Sequence, residues 1–471
     1  MSTNTSTHHT STIGAIGAPS RRNTELALLV FAVAIPVFAY ANVGLAINGE
    51  VPTGLMGYGI GLGLLAGVGH LVVRKLAPYA DPLLLPLATL LNGLGLVFIW
   101  RLDQSERLQQ VATFSPSAPN QLMYSAAGIA LFVVVLFALK DHRILQRYTY
   151  ISMVAALVLL LLPVVPGLGA DVFGAKIWIS VGGFSIQPGE FAKIIIAVFF
   201  SGYLMVKRDA LALASRRFMG LYLPRGRDLG PIITIWAVSL LILIFENDLG
   251  TSLLFFGMFV IMLYVATERT SWIVIGLLMS AAGAVGVASF ASHVQARVDA
   301  WLDPFACYET SNACQQIGQS IMSFGSGGVL GTGLGQGNSD LIGFAANSDF
   351  IFATVGEELG LAGVMAFLLL YALIIERGVR TALAARDPFG KLFAVGLSGA
   401  FALQIFVVAG GVMGLIPLTG MTMPFLAAGG SSVIANWALI GILIRISDTA
   451  RRPAPSPASN PDAEMTQVVR P

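Results

Sequence analysis

Charge is the scarcest property of this chain. Only 11% of its 471 residues are Asp, Glu, Lys or Arg, against 56% hydrophobic ones, whereas a soluble domain carries about a quarter charged residues. That balance excludes an ordinary soluble globular domain. Histidine and cysteine are rarer still. The five histidines, His8, His9, His70, His142 and His293, are scattered without ligand spacing, so no metal site is assigned to the protein's own side chains. No small-residue cleavage pattern follows the first apolar run, so no cleavable signal peptide is expected. The formal net charge of +2 carries little meaning by itself, and no nucleic-acid partner is expected.

What fills the chain is a succession of apolar runs, each of about 17–25 residues and long enough to cross a ~30 Å hydrocarbon core as a helix. They fall near 25–47, 52–73, 82–100, 121–139, 148–166, 187–206, 230–246, 249–267, 272–292, 350–375, 391–415 and 424–444. The expected fold is an all-α polytopic membrane bundle of about twelve spans. With the amino terminus inside, every alternate loop is basic: of the 27 Lys and Arg residues only Arg101, Arg107, Lys176, Lys193 and Arg297 lie away from the inner face. This bias orients the chain with both termini cytoplasmic. Residues 1–22 and 451–471 read as disordered inner tails, poor in apolar residues and rich in Ser, Thr or Pro, around a membrane domain at 23–450.

Polar material collects on the outer face. The segment 167–186 carries Lys176 and Trp178, which suit an interfacial anchor, and Glu190 and Lys193 follow on one face of the next helix, three apart. The short turn Glu246-Asn-Asp-Leu-Gly-Thr251 places Asp248 where it could cap a helix. A large outer loop spans about 293–349. It holds Arg297 and the two cysteines, Cys307 and Cys314; the outside is oxidising, so a disulfide between them is expected. Glycine at 325, 327, 328, 331, 333, 335 and 337 is no phosphate-binding loop, since the lysine and the preceding strand are missing. It reads as backbone that bends sharply and can approach a ligand or re-enter the membrane edge. The segment 417–432 is interrupted by Gly and Pro at membrane depth, which is tolerated only where backbone is buried in protein or lines a cavity. Three acids, Asp349, Glu357 and Glu358, stand where the large loop enters the next span, and acids at such depth are functional candidates. An enzyme and a transporter both fit these features.

The segments resemble the SEDS family of cell-wall glycosyltransferases, the RodA/FtsW/SpoVE group, over about residues 80–450. The resemblance lies in Gly174-Ala-Lys-Ile-Trp178, Gln187-Pro-Gly-Glu-Phe-Ala-Lys193, Asp248-Leu-Gly-Thr251, Gln319-Ser-Ile-Met-Ser-Phe-Gly-Ser-Gly-Gly328, Ser348-Asp-Phe-Ile-Phe-Ala353, Gly356-Glu-Glu-Leu-Gly360, Pro417-Leu-Thr-Gly420 and Gly429-Gly-Ser-Ser432. Ala80-Asp-Pro and Arg101-Leu-Asp look like the actinobacterial RodA branch, and two extra amino-terminal helices account for twelve spans rather than ten. Departures are also present. The family's Gln-Pro-Ser-Glu is Gln187-Pro-Gly-Glu190, and its Pro-Glu-x-His-Thr-Asp is Ala345-Ala-Asn-Ser-Asp349, so no role for that Glu and His carries over.

The resemblance implies polymerisation of lipid II, in which the 4-hydroxyl of an acceptor sugar attacks the C1 of a donor linked to undecaprenyl pyrophosphate. It places the essential acid on Asp349. A sugar hydroxyl is a poor nucleophile, so a positioned carboxylate helps as general base, and the departing pyrophosphate needs cations. Lys193, Lys176, Arg101 and Arg297 are the candidates for that, with Glu190 and Trp178 beside them; a divalent cation, Mg or Mn, could accompany the pyrophosphate. Glu357, Glu358 and Asp248 either line the cavity or brace helices. The implied partners are lipid II, the lipid-linked glycan strand, a class B penicillin-binding transpeptidase and other elongation proteins. A lipid II flippase and a division polymerase of the FtsW type are the alternatives.

Overall fold

The computed structural model describes residues 20–453 except 106–108, 111–114, 173–174, 182–183, 213, 219–220, 225–229, 247 and 290. The expected disordered tails therefore lie outside the described residues but for their inner ends, as do Arg107, Arg225, Arg227, Gly174, the Gly182–Gly183 pair and Asn247. The described chain forms α1 (Arg22–Asn48), α2 (Leu55–Leu76), α3 (Leu84–Asp103), α4 (Ala118–Ala138), α5 (Thr149–Leu161), strands β1 (Gly169–Val172), β2 (Ala175–Val181) and β3 (Phe184–Ile186), and α6 (Pro188–Ala212). A small hairpin of β4 (Ala214–Phe218) and β5 (Leu221–Pro224) leads to α7 (Gly230–Glu246), α8 (Leu249–Thr267) and α9 (Ser271–Ala288). Then come α10 (Ser292–Leu302), α11 (Asn312–Gly327), α12 (Ile351–Ala384), α13 (Pro388–Val412) and α14 (Gly430–Arg451).

Among the described residues, eleven helices are long and apolar enough to cross a membrane. The twelfth expected span is α7, a helix of 17 residues. The helical-bundle expectation holds, with two additions. The segment 167–186, expected outside, holds a three-stranded antiparallel sheet, built on the alternation of Ala175-Lys-Ile-Trp-Ile-Ser-Val181, with Trp178 opposite Ala170. The segment 293–349, expected outside, is not a plain loop: α10 and α11 occupy much of it, and the expected disulfide joins Cys307, between them, to Cys314 in the first turn of α11.

Helices α3 and α14 are buried along nearly their whole lengths, so they form the centre of the bundle. Around them α1, α4 and α9 turn apolar side chains such as Phe31, Phe38, Phe137 and Leu277 outward, which lipid solvates as readily as a protein core would. One end of the bundle is locked by ions. Buried Asp81, just before α3, accepts from Arg451 at 2.5 Å; Asp448 accepts from the Tyr79 N–H at 2.9 Å and from Arg452 at 2.7 Å. Arg22, which pairs with Glu25, donates to the Ala80 carbonyl. The first and last helices thus begin and end on the same side. From there α3 runs 20 residues, about 30 Å at 1.5 Å per residue, to Arg101 at the opposite end, where the candidate site lies.

Candidate active site

The site is built on broken helices. Residues 413–429, between α13 and α14, have no regular structure, and Phe425 sits at φ 64°. Unpaired backbone at this depth costs several kcal/mol per group, and polar side chains from four surrounding elements meet that demand. Gln121 donates to the Ala427 carbonyl at 3.1 Å and accepts from the Gly429 N–H, Gln404 donates to Thr422 O at 3.0 Å, and the Tyr371 hydroxyl donates to Pro424 O at 2.7 Å. Arg297 and Trp301, one turn apart on α10, donate to Leu418 O and Gly414 O at 3.2 and 3.0 Å. These bonds dock α10 across the mouth of the broken segment.

Asp349 ends the turn that leads into α12. The Phe350 N–H closes this turn on Ala345 O at 3.1 Å, and the Ala428 N–H donates to Asn347 O at 2.8 Å, which ties the turn to the broken segment. Gly420, at φ 75°, lies between the two charged groups: a Cβ there would stand 3.3 Å from Arg297 Nη2 and 3.8 Å from Asp349 Oδ2. A side chain at 420 would crowd that space. Asp248 completes the cluster. It caps α8, accepting from the Thr251 N–H at 2.9 Å and from the Thr251 hydroxyl at 2.5 Å. Burial pushes the Asp349 carboxyl up to about 6, against the pull of Arg297 and a hydrogen bond from Ser348, while the nearby Asp248 adds to the rise. Burial likewise raises Asp248, opposed by Thr251 and Arg297. A carboxylate poised near neutrality beside a guanidinium is suited to accept a proton at working pH.

Lys193 and Arg101 have other employment. The Lys193 ammonium is buried and donates to Glu190 at 2.6 Å, Gln404 at 2.9 Å and Asn436 at 3.2 Å. Through Gln404 it supports the Thr422 carbonyl of the broken segment. Arg101 is buried and donates to Glu358 and to the Gly337 carbonyl. Both cations, expected as pyrophosphate ligands, are thus committed to internal carboxylates. Lys176 is exposed and Trp178 half-buried on β2, a sheet that leads directly into α6 and Glu190. Of the expected cations, only Arg297 sits beside Asp349.

Glu357 and Glu358 resolve together. Helix α12 is interrupted at Gly360 (φ 64°, ψ −165°), and the glycine-rich segment pairs with the break. The N–H groups of Thr332 and Gly333 donate to Glu357 O and Glu358 O at 2.9 and 3.0 Å, and those of Leu361 and Ala362 donate to Gly328 O and Val329 O at 2.9 and 3.0 Å. The freed helical groups are satisfied as in a β-bridge. The side chains follow: Glu357 accepts from the Asn338 N–H at 2.9 Å and Glu358 from the Gly335 N–H at 2.8 Å. Glycine is required by the approach itself, since a Cβ on Gly331 would fall 2.2 Å from Glu358 O and one on Gly360 2.3 Å from the Gly331 nitrogen. Both acids act as braces.

The sequence model of the FtsW, RodA and SpoVE cell cycle proteins matches residues 82–452 of this chain. The chain belongs to this family. Its relatives within the family include the peptidoglycan glycosyltransferase RodA of Mycobacterium tuberculosis, 49% identical with 92% of each chain covered, and that of Mycobacterium leprae, 47% identical with 94% of each chain covered. Stage V sporulation protein E of Bacillus subtilis is 32% identical over 81% of this chain and all of its own. The fold agrees with that of the Thermus thermophilus rod shape determining protein RodA, at a TM-score of 0.52 and 22% identity, covering 79% of this chain and 98% of that one. It also agrees with a chain of a peptidoglycan synthase complex described as coordinating polymerization and crosslinking, at a TM-score of 0.54 and 23% identity, covering 84% and 98%. Like the other family members it is a multi-pass membrane protein. The family segment starts at residue 82, so α1 and α2 stand before it.

Sequence reasoning missed Gln121 and Gln404, whose side chains hold the broken segment in place. The signal was available: an amide inside an apolar span needs a partner, and these two mark where the backbone is open.

Proposed function

We propose that this protein is a peptidoglycan glycosyltransferase that polymerises lipid II at the outer face of the cytoplasmic membrane during cell elongation. Both termini lie in the cytoplasm, and the end of the bundle that holds Asp349 faces outward. The observation that carries the reading is Asp349 set beside Arg297 under a broken helical segment, in a chain half identical to proteins named peptidoglycan glycosyltransferase RodA.

In this reading the Asp349 carboxylate takes the proton of the acceptor's 4-hydroxyl as that oxygen bonds to the donor's C1. The bond from C1 to the undecaprenyl pyrophosphate breaks, and the electron pair leaves with the phosphate oxygen. Pyrophosphate is stable as an anion, so one base suffices and the two-carboxylate arrangement of glycosidases is unnecessary. Arg297 supplies positive charge where the leaving group develops negative charge. Among the described residues no group of three or more His, Cys, Asp or Glu side chains is placed to hold a metal ion. Asp248 and Asp349 could share a divalent cation, Mg or Mn, with a bound pyrophosphate. The expected partner is a class B penicillin-binding transpeptidase that crosslinks the new strands.

Purified protein incubated with labelled lipid II should form glycan strands, and Asp349→Asn, expressed at the wild-type level, should form none. Strand synthesis by that variant would sink the assignment of the base. Translocation of lipid II without strand synthesis by the wild type would favour a flippase.

A further inference from the structure

We infer that the α1–α2 hairpin, which precedes the segment common to the family, is a positioning clamp for the reaction, acting through Gly335 and Gln336 on the break in α12. The inference rests on the reading of Asp349 as the base.

A clamp needs a fixed foundation, and α1–α2 has one on α3. The Tyr58 hydroxyl donates to the Gly93 carbonyl at 2.7 Å. A Cβ on Gly93 would lie 2.7 Å from Pro36 Cγ, so α1 and α3 touch backbone to ring at that point. Tyr40 and Tyr58 stack at 4.9 Å, and Trp100 lies 4.3 Å from Tyr40. Near the other end His70 and Glu25 join α2 to α1 at 2.8 Å in a buried contact.

The far end of α1 then meets the glycine-rich segment. Gln336 Nε2 donates to the Ala46 carbonyl at 3.1 Å. Gly335, at φ 79°, sits against α1 so closely that a Cβ there would lie 3.2 Å from Ala46 Cβ and 3.3 Å from both Ile47 Cγ1 and Val43 O. The same Gly335 presents its N–H to Glu358, and Glu358 and Gly337 are both held by Arg101 of α3. One residue therefore touches α1 on one side and the α12 brace on the other. Above the brace, the first turns of α12 (Ile351 to Leu359) form a rigid rod with Asp349 at its head. That rod is secured below by the backbone bonds of Thr332, Gly333, Leu361 and Ala362. Shifting the 328–337 segment moves the foot of the rod, and hence the base. Displacements of about 1 Å at a reacting group can cost up to a hundredfold in rate.

The contact can be changed without touching the site. Ala46→Leu keeps α1 apolar and helical but thrusts a side chain at Gly335; Gln336→Ala removes one exposed hydrogen bond; Gln336→Arg keeps a donor. In full-length protein, turnover of saturating lipid II should fall about tenfold or more in Ala46→Leu and about twofold to threefold in Gln336→Ala. KM and thermal midpoint should stay near wild type, and Gln336→Arg should restore the rate. Hydrogen exchange at the N–H groups of Thr332, Gly333, Leu361 and Ala362 should quicken in the same order. Unchanged exchange in Ala46→Leu would overturn the clamp even with lipid II polymerisation intact, as would faster exchange with undiminished turnover. A wild-type protein that makes no strands from lipid II would instead remove the functional reading, and the positioning claim with it.

Discussion

Replacing Arg297 by Gln separates the two tasks that the site asks of this cation. Because the space over Gly420 places Arg297 Nη2 and Asp349 Oδ2 within 3.3 and 3.8 Å of a single point, the charges are at most about 7 Å apart. At an effective dielectric of roughly 20–40, between the protein surface and water, such a pair interacts by about 1–2 kcal/mol, or about one pKa unit. The sign is set by charge: the guanidinium favours the ionised carboxylate, so removing it raises Asp349 further. The acid limb of polymerisation, expected near pH 6 in the wild type, should move to about pH 7. A rate ratio of about twofold at pH 7 should widen to about fivefold at pH 6 and close at pH 8, if Arg297 acts through Asp349 alone. A further loss that is constant across pH would measure its contribution to the pyrophosphate. The assay is single-turnover strand formation from labelled lipid II between pH 5.5 and 8.5. An acid limb that stays in place in Arg297→Gln would refute the electrostatic coupling of the two residues.

Further substitutions probe the support of the site. Lys193→Met leaves Glu190 buried without its partner and frees Gln404 and Asn436; it should destabilise by about 3–5 kcal/mol, seen as a lower thermal midpoint, and Glu190→Gln beside it should recover part of the loss. A raised KM at unchanged stability would instead restore Lys193 to pyrophosphate binding. Gly360→Ala puts a methyl 2.3 Å from the Gly331 nitrogen at a positive φ, so the folded yield should collapse, while Gly343→Ala, with nothing within 4 Å, should cost about 1–3 kcal/mol from backbone strain alone. Gly189→Ser, toward the family pattern, places its Cβ 3.7 Å from the Thr251 hydroxyl, an ordinary contact; polymerisation and melting should stay close to wild type.

The spans were legible because hydrocarbon demands long apolar runs, and α1 through α9 and α12 through α14 fall close to the runs read from hydropathy. Asp349 was singled out through its motif, and the geometry sets it beside Arg297. The partners of Lys193 and Arg101 were only partly legible, for a physical reason. A cation in a span announces a need for a partner, but the sequence does not say whether the partner is a ligand or a carboxylate from another helix. Glu190 lies only three residues from Lys193 and could be seen; Glu358 lies far from Arg101 in the chain and could not. The hardest feature was the pairing of 328–333 with 357–362, because main-chain hydrogen bonds leave no side-chain signature. Their trace is negative: glycine at 327, 331, 356 and 360, wherever a Cβ would strike the opposite backbone or ring. Two glycine clusters about thirty residues apart, one in an outer segment and one inside a span, are a joint statement that the span is broken and that the outer segment repairs it. Read together, they also assign Glu357 and Glu358, since carboxylates beside a helix break find backbone N–H groups within reach. The acids of Leu341–Ala362 then divide by surroundings: Asp349 meets a guanidinium across Gly420, and the two glutamates meet the brace.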